Sequence, residues 1–150
     1  MISLKNKIKK IKISEKKLIQ DAQRVLDILD YSDFDLGILL TSNATIRRFN
    51  RDFREKDKPT DILSFPFHPD LKAGERISPA SNEEKNLGDL IFSLEYIKKD
   101  ALQWNQSLEQ RLQVLLVHGI CHLLGYDHIK DDDYSVMQAK ENDILKRLKG

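Results

Sequence analysis

The sequence predicts an α+β fold, and three observations lead there. Four short stretches are apolar in the manner of strands, five longer ones are apolar at helical spacing, and helices dominate the second half. At 150 residues, 40% hydrophobic and 33% charged, the chain suits a single domain spanning residues 1–150. That length buries roughly 70% of the unfolded surface.

Lys10-Ile11-Lys12-Ile13 alternates and reads as a first strand whose lysines suit a sheet edge. Ser14 is a good N-cap for a helix to about residue 29, with Leu18, Ala22, Val25 and Leu29 on one face. Residues 35–40 form a second strand. Ser42 can cap a helix carrying Ile46, Phe49 and Phe53 on its buried face. Residues 62–67 and 87–94 are two more strands. The polar stretch between them, 69–86, reads as a long loop of a length that is often functional. Helices follow at 95–103 and 108–124, the second opened by the capping box Ser107-Leu108-Glu109-Gln110. A last helix runs over 132–149.

No apolar run approaches the roughly 20 residues of a membrane helix, and the Lys-rich start lacks the apolar region of a signal peptide. No membrane partner is expected. The single cysteine, Cys121, excludes an intrachain disulfide framework, so the expected compartment is cytoplasmic. The net charge of +1 is unevenly spread. Residues 1–60 hold fourteen Lys/Arg against nine Asp/Glu, and residues 61–150 hold eleven against fifteen. The basic half can meet a polyanion.

Three of the four histidines fall within eleven residues, at His118, His122 and His128. Residues four apart share a helix face, so His118 and His122 can offer two imidazoles to one ion. Gly125 can end the helix in the left-handed conformation and return His128 to the same place. Three neutral imidazoles with an open fourth position describe a catalytic zinc site, on a zincin-like helix. The spacing is that of the metzincin pattern H-E-x-x-H-x-x-G-x-x-H. Gly119, however, stands where that pattern has its general base. A different substrate, or a different base, is implied.

Neighbouring residues have more ordinary readings. Asp127 is either an acceptor that orients an imidazole or a turn residue. Cys121 suits core packing. Asp131, Asp132 and Asp133 suit the start of the last helix, and His68 suits a surface loop. Arg47, Arg51 and Arg54 recur at spacings of four and three, forming a basic stripe opposite Ile46, Phe49 and Phe53, with Lys56 and Lys58 following. Guanidinium forks suit phosphate oxygens.

The segment from His118-Gly119 to Gly125-Tyr126-Asp127-His128 resembles the signature of the YbeY family of bacterial endoribonucleases. Residues 50–66, from Asn50-Arg51-Asp52-Phe53-Arg54 to Asp61-Ile62-Leu63-Ser64-Phe65-Pro66, are similar to a second block of that family. Leu87-Gly88-Asp89-Leu90-Ile91-Phe92-Ser93 is similar to a third. Cys121 departs from the aliphatic residue usual there, and residues 1–40 match only in pattern. The resemblance implies a small mixed sheet packed with helices that carry the metal site. It implies one zinc ion, other divalent metals being alternatives, held by His118, His122 and His128. It gives catalytic roles to Arg54 and His118. The activity implied is a single-strand-directed, metal-dependent endoribonuclease, a phosphodiester hydrolase. Its implied task is maturation of the 16S ribosomal RNA 3′ end and ribosome quality control. The implied partners are ribosomal precursor RNA and small-subunit proteins, with no nucleotide cofactor. Two alternatives stand beside it: a zincin-type peptide or amide hydrolase, and a ribosome-assembly factor with a structural metal.

Overall fold

The computed structural model describes residues 1–150. Its strands are β1 (Ile2–Asn6), β2 (Asp35–Thr41), β3 (Ile62–Pro66) and β4 (Asn86–Ser93). Its helices are α1 (Glu15–Ile28), α2 (Asn43–Arg54), α3 (Leu94–Gln103), α4 (Leu108–Leu123) and α5 (Asp131–Lys149). The four strands form one mixed sheet in the order β1-β2-β4-β3. The two pairings that involve β2 are parallel, and β3 runs antiparallel to β4. The fold is therefore the α+β arrangement expected, with a small mixed sheet. No helix is long and apolar enough to cross a membrane.

Side-chain alternation divides the core between the two sheet faces. Leu36, Ile38 and Leu40 of β2 and Leu90 and Phe92 of β4 join the main core with α1, α4 and α5. Leu63 of β3 and Ile91 of β4 face the other way, where Ile46 of α2 covers them. Serine side chains start α1, α2 and α4 as the sequence predicts. Ser14, Ser42 and Ser107 accept from Lys17 N at 3.2 Å, Thr45 N at 3.3 Å and Gln110 N at 3.1 Å. The Ser107/Gln110 capping box is complete.

Two expectations are corrected. The first strand is Ile2–Asn6, not residues 10–13. Asn6 pairs with Leu40, and β2 ends one residue later at Thr41. Residues 10–13 therefore lie past the end of their only neighbour and have no strand to join. The Asn6 side chain accepts from Ile8 N at 2.9 Å and turns the chain, and Ile11 packs into the core as part of that turn. The second correction concerns α2. It rests on the sheet through Ile46 and Asn50, while Phe49 is half-buried and Phe53 is 66% exposed. The Phe53 ring meets Phe65 of β3 edge-on and does not bury against the sheet.

The loop from 67 to 85 is pinned rather than loose. Arg76 donates to Leu29 O at 2.8 Å and to Asp30 O at 2.9 Å. Ile77 N donates to the Tyr31 hydroxyl at 3.1 Å. This holds the loop against the end of α1 and leaves Pro69 and Leu71 as one wall of the cleft described next.

Candidate metal centre

Helix α4 lies against β3 and β4 at Gly119. A Cβ there would sit 2.6 Å from Ile62 Cδ1 and 2.9 Å from Leu90 Cδ2. Position 119 thus points into the sheet, and a glutamate has no room. His118 and His122 are half-buried on the side that opens to the cleft.

The end of α4 is a Schellman motif. Gly125 N donates to His122 O and Tyr126 N donates to Cys121 O, both at 3.1 Å. Gly125 has φ of +91°, and a Cβ there would lie 2.3 Å from Leu71 O. Glycine is required twice, for the left-handed turn and for the close pass of the 67–85 loop. The reversal returns the chain towards α4, and Asp127 Oδ1 accepts from His128 N at 2.7 Å. Asp127 is the turn residue of its two readings.

One ligand atom from each of His118, His122 and His128 lies within 4.8 Å of the others. The His118 and His122 Nε2 atoms are 3.1 Å apart. Each of these rings is held by its other nitrogen. His118 Nδ1 donates to Glu141 Oε2, and His122 Nδ1 donates to Tyr126 O, both at 3.0 Å. A carboxylate and a carbonyl only accept, so the protons reside on Nδ1. With Nδ1 of each ring committed to an acceptor, the two facing Nε2 atoms are the ring positions left to bind an ion, and their close approach fits a divalent cation between them. Burial, and then the neighbouring His118 and His128, lower the His122 pKa to about 4. His122 is neutral at pH 7 and able to ligate. No Cys, Asp, Glu or fourth His joins the cluster.

The sequence missed Glu141. It lies on α5 between the buried Met137 and Ile144, and its side chain is only 18% exposed. A carboxylate at heptad-like spacing within an apolar stripe was the available signal. The other candidates stay outside the cluster. Cys121 is fully buried, and burial pushes its thiol up to about 12. His68 Nε2 donates to Glu84 O at 2.8 Å. Asp131, Asp132 and Asp133 are exposed in the first turn of α5.

The histidines open on a cleft of about 800 Å³, whose wall includes Arg54, Lys56, Lys58, Asp61 and Ser64. The expected arginine stripe is exposed but not uniformly free. Arg47 grips Asp57 with two bonds of 2.8 and 3.2 Å, and Arg51 meets Asp52 at 3.0 Å. Arg54 has no ion-pair or hydrogen-bonding partner and faces the cleft.

A profile of the family described as Endoribonuclease YbeY matches residues 3–149. The chain belongs to the YbeY family. It is 41% identical over 121 residues to a Homo sapiens protein named Endoribonuclease YbeY, covering 81% of this chain and 72% of that one. It is 33% identical over 153 residues to a protein of the same name from Caldicellulosiruptor bescii, covering 98% and 96%. The solution structure of TM1509 from Thermotoga maritima is similar in fold, with a TM-score of 0.61 at 23% identity, over 99% of this chain and 89% of that one. The family match spans the three histidines, Arg54 and Glu141 alike.

Proposed function

We propose that this protein is a single-domain, metal-dependent endoribonuclease over residues 1–150, a phosphodiester hydrolase acting in ribosomal RNA maturation. Its substrates are single-stranded segments of precursor RNA, at the 3′ end of 16S ribosomal RNA, with a further part in ribosome quality control. Zinc is the proposed ion, the cytoplasm the proposed site of action, and small-subunit ribosomal proteins the proposed protein partners. The name shared by its relatives supports the activity. The observation that carries the reading is the meeting, in one cleft, of a three-imidazole cluster and the partnerless Arg54.

An ion held there supplies a Lewis acid for a phosphoryl oxygen and acidifies water. The protein's own residues do the rest. Glu141 and the Tyr126 carbonyl keep protons on Nδ1 of His118 and His122, so both Nε2 atoms would be free to hold the ion. Arg54 places its fork on non-bridging phosphate oxygens and stabilises charge that grows on phosphorus. With a single histidine cage, the reading needs one ion. The peptidase alternative lacks its base, because position 119 is filled by the sheet. A purely structural metal fits poorly with three donors whose fourth side is a cleft.

The test is cleavage of a structured ribosomal precursor RNA by the metal-loaded protein, the stripped protein and His118→Ala. Cleavage by the first alone is expected; undiminished cleavage by metal-free His118→Ala would overturn the proposal. A 2′,3′-cyclic phosphate end would assign the attack to the RNA 2′-hydroxyl, and a 5′-phosphate with a 3′-hydroxyl would assign it to water.

A further inference from the structure

Beside the metal cleft, α2 ends in an aromatic cluster that the site above does not use. Phe49 and Phe53 stack with centroids 6.1 Å apart and planes within 17°. Phe65 of β3 meets Phe53 edge-on at 5.4 Å and 75°. The cluster thins towards solvent: Phe49 is half-buried, and Phe53 is 66% exposed. A single exposed apolar side chain is ordinary on a protein surface. Here, though, the exposed ring is the outer member of a cluster backed by two further rings. Phe53 and Phe65 both line the same cleft as the three histidines. Arg54 is the next residue, and Lys56 and Lys58 line the same wall.

We infer that Phe53, backed by Phe49 and Phe65, is a shelf that takes one unpaired nucleobase of the RNA substrate beside the phosphate held by Arg54. This rests on the endoribonuclease reading and deepens it. Every base has a flat π-face, so a phenyl shelf accepts any of them, while cations alongside follow the backbone. The bases of a duplex are stacked on their own neighbours and offer no free face. Single-strand preference then arises from Phe53, not from the metal. The occupant is RNA, because the shelf is continuous with the metal cleft and flanked by cations.

Phe53→Leu keeps apolar bulk and removes the flat ring, and Phe53→Tyr keeps the ring. Position 53 is exposed, so both variants fold. KM and kcat are measured on a single-stranded oligoribonucleotide with metal-loaded protein, alongside metal affinity. The expected result is a KM raised about tenfold in Phe53→Leu, with kcat and metal affinity unmoved, and recovery in Phe53→Tyr. A substrate with one abasic nucleotide at the shelf should cost the unaltered protein the same factor and cost Phe53→Leu nothing more. An unchanged KM in Phe53→Leu, against an unaltered protein that cleaves, overturns the shelf alone and leaves the ring to a protein partner. Failure of the unaltered, metal-loaded protein to cleave any RNA overturns the endoribonuclease reading and the shelf with it.

Discussion

Glu141 of α5 accepts the Nδ1 proton of His118 of α4 at 3.0 Å, across 23 residues of sequence. The bond fixes one ligand's tautomer and ties the last helix to the centre. A carboxylate behind an imidazole also makes the imidazole a stronger donor to metal. Glu141→Ala should therefore weaken metal binding by roughly 10–100-fold. Glu141→Gln, which keeps an acceptor oxygen without the charge, should fall between the two. Competition with a chromogenic chelator measures this. An affinity in Glu141→Ala within about twofold of the unaltered protein would sink the positioning role. Loss of thermal stability alone would show only that α5 had been loosened.

Gly119 separates this centre from a metzincin active site, and its surroundings explain the difference. Restoring the protease pattern by Gly119→Glu drives a side chain into Ile62 and Leu90. It also places a carboxylate between two apolar residues. Overpacking costs about 1–3 kcal/mol, and burying an unpaired charge adds to it. The variant should melt lower by at least several degrees and gain no peptidase activity. A stable Gly119→Glu protein that cleaves peptides would contradict the placement of α4 on the sheet.

What was legible in the sequence was what local rules decide. Ser14, Ser42 and Ser107 cap helices because the capping hydroxyl needs only the next three residues. The convergence of His118, His122 and His128 follows from helical spacing and the left-handed Gly125, again within one short segment. What escaped depended on partners far along the chain. The alternation at 10–13 is a sound strand pattern, but β2 ends before it can pair. Phe53 matches the apolar face of α2, yet its ring rests against Phe49 and Phe65 and stays largely exposed. Glu141 sits 23 residues from its histidine, and only the packing of α5 on α4 joins them. The arginine stripe was visible, but not that Asp57 and Asp52 would occupy two of its three members.

That last difference makes a prediction about salt. Arg54 is free to replace counterions on a phosphate, whereas Arg47 already holds Asp57. Each phosphate contact on a single strand contributes about 0.7 to the slope of log affinity against log salt. Arg54→Gln should lower that slope by about this amount while sparing metal content. Arg47→Gln should leave it unmoved. Equal slopes in the unaltered protein and Arg54→Gln would remove Arg54 from the RNA path.

The depressed pKa of His122 sets a pH dependence in the metal-free protein. Its value falls from 6.5 to about 4, chiefly through burial and then through the other two histidines. Between these values the unfolded chain binds a proton at His122 that the folded chain does not. Stability therefore rises with pH across this window. It is fully present above about 6.5 and is lost progressively as pH falls towards 4. The carboxylates held low by their partners, Asp57 and Glu95 among them, add their own losses at the acid end. Those losses are common to any variant at position 122. His122→Gln cannot take the proton, so its melting temperature should fall less than that of the unaltered protein between pH 6.5 and 4.5. Thermal melts of both proteins after chelation give the comparison, and parallel curves would mean that His122 is not the group responsible. With metal present, protons and the ion compete for the same nitrogen, so occupancy should fall in the same direction.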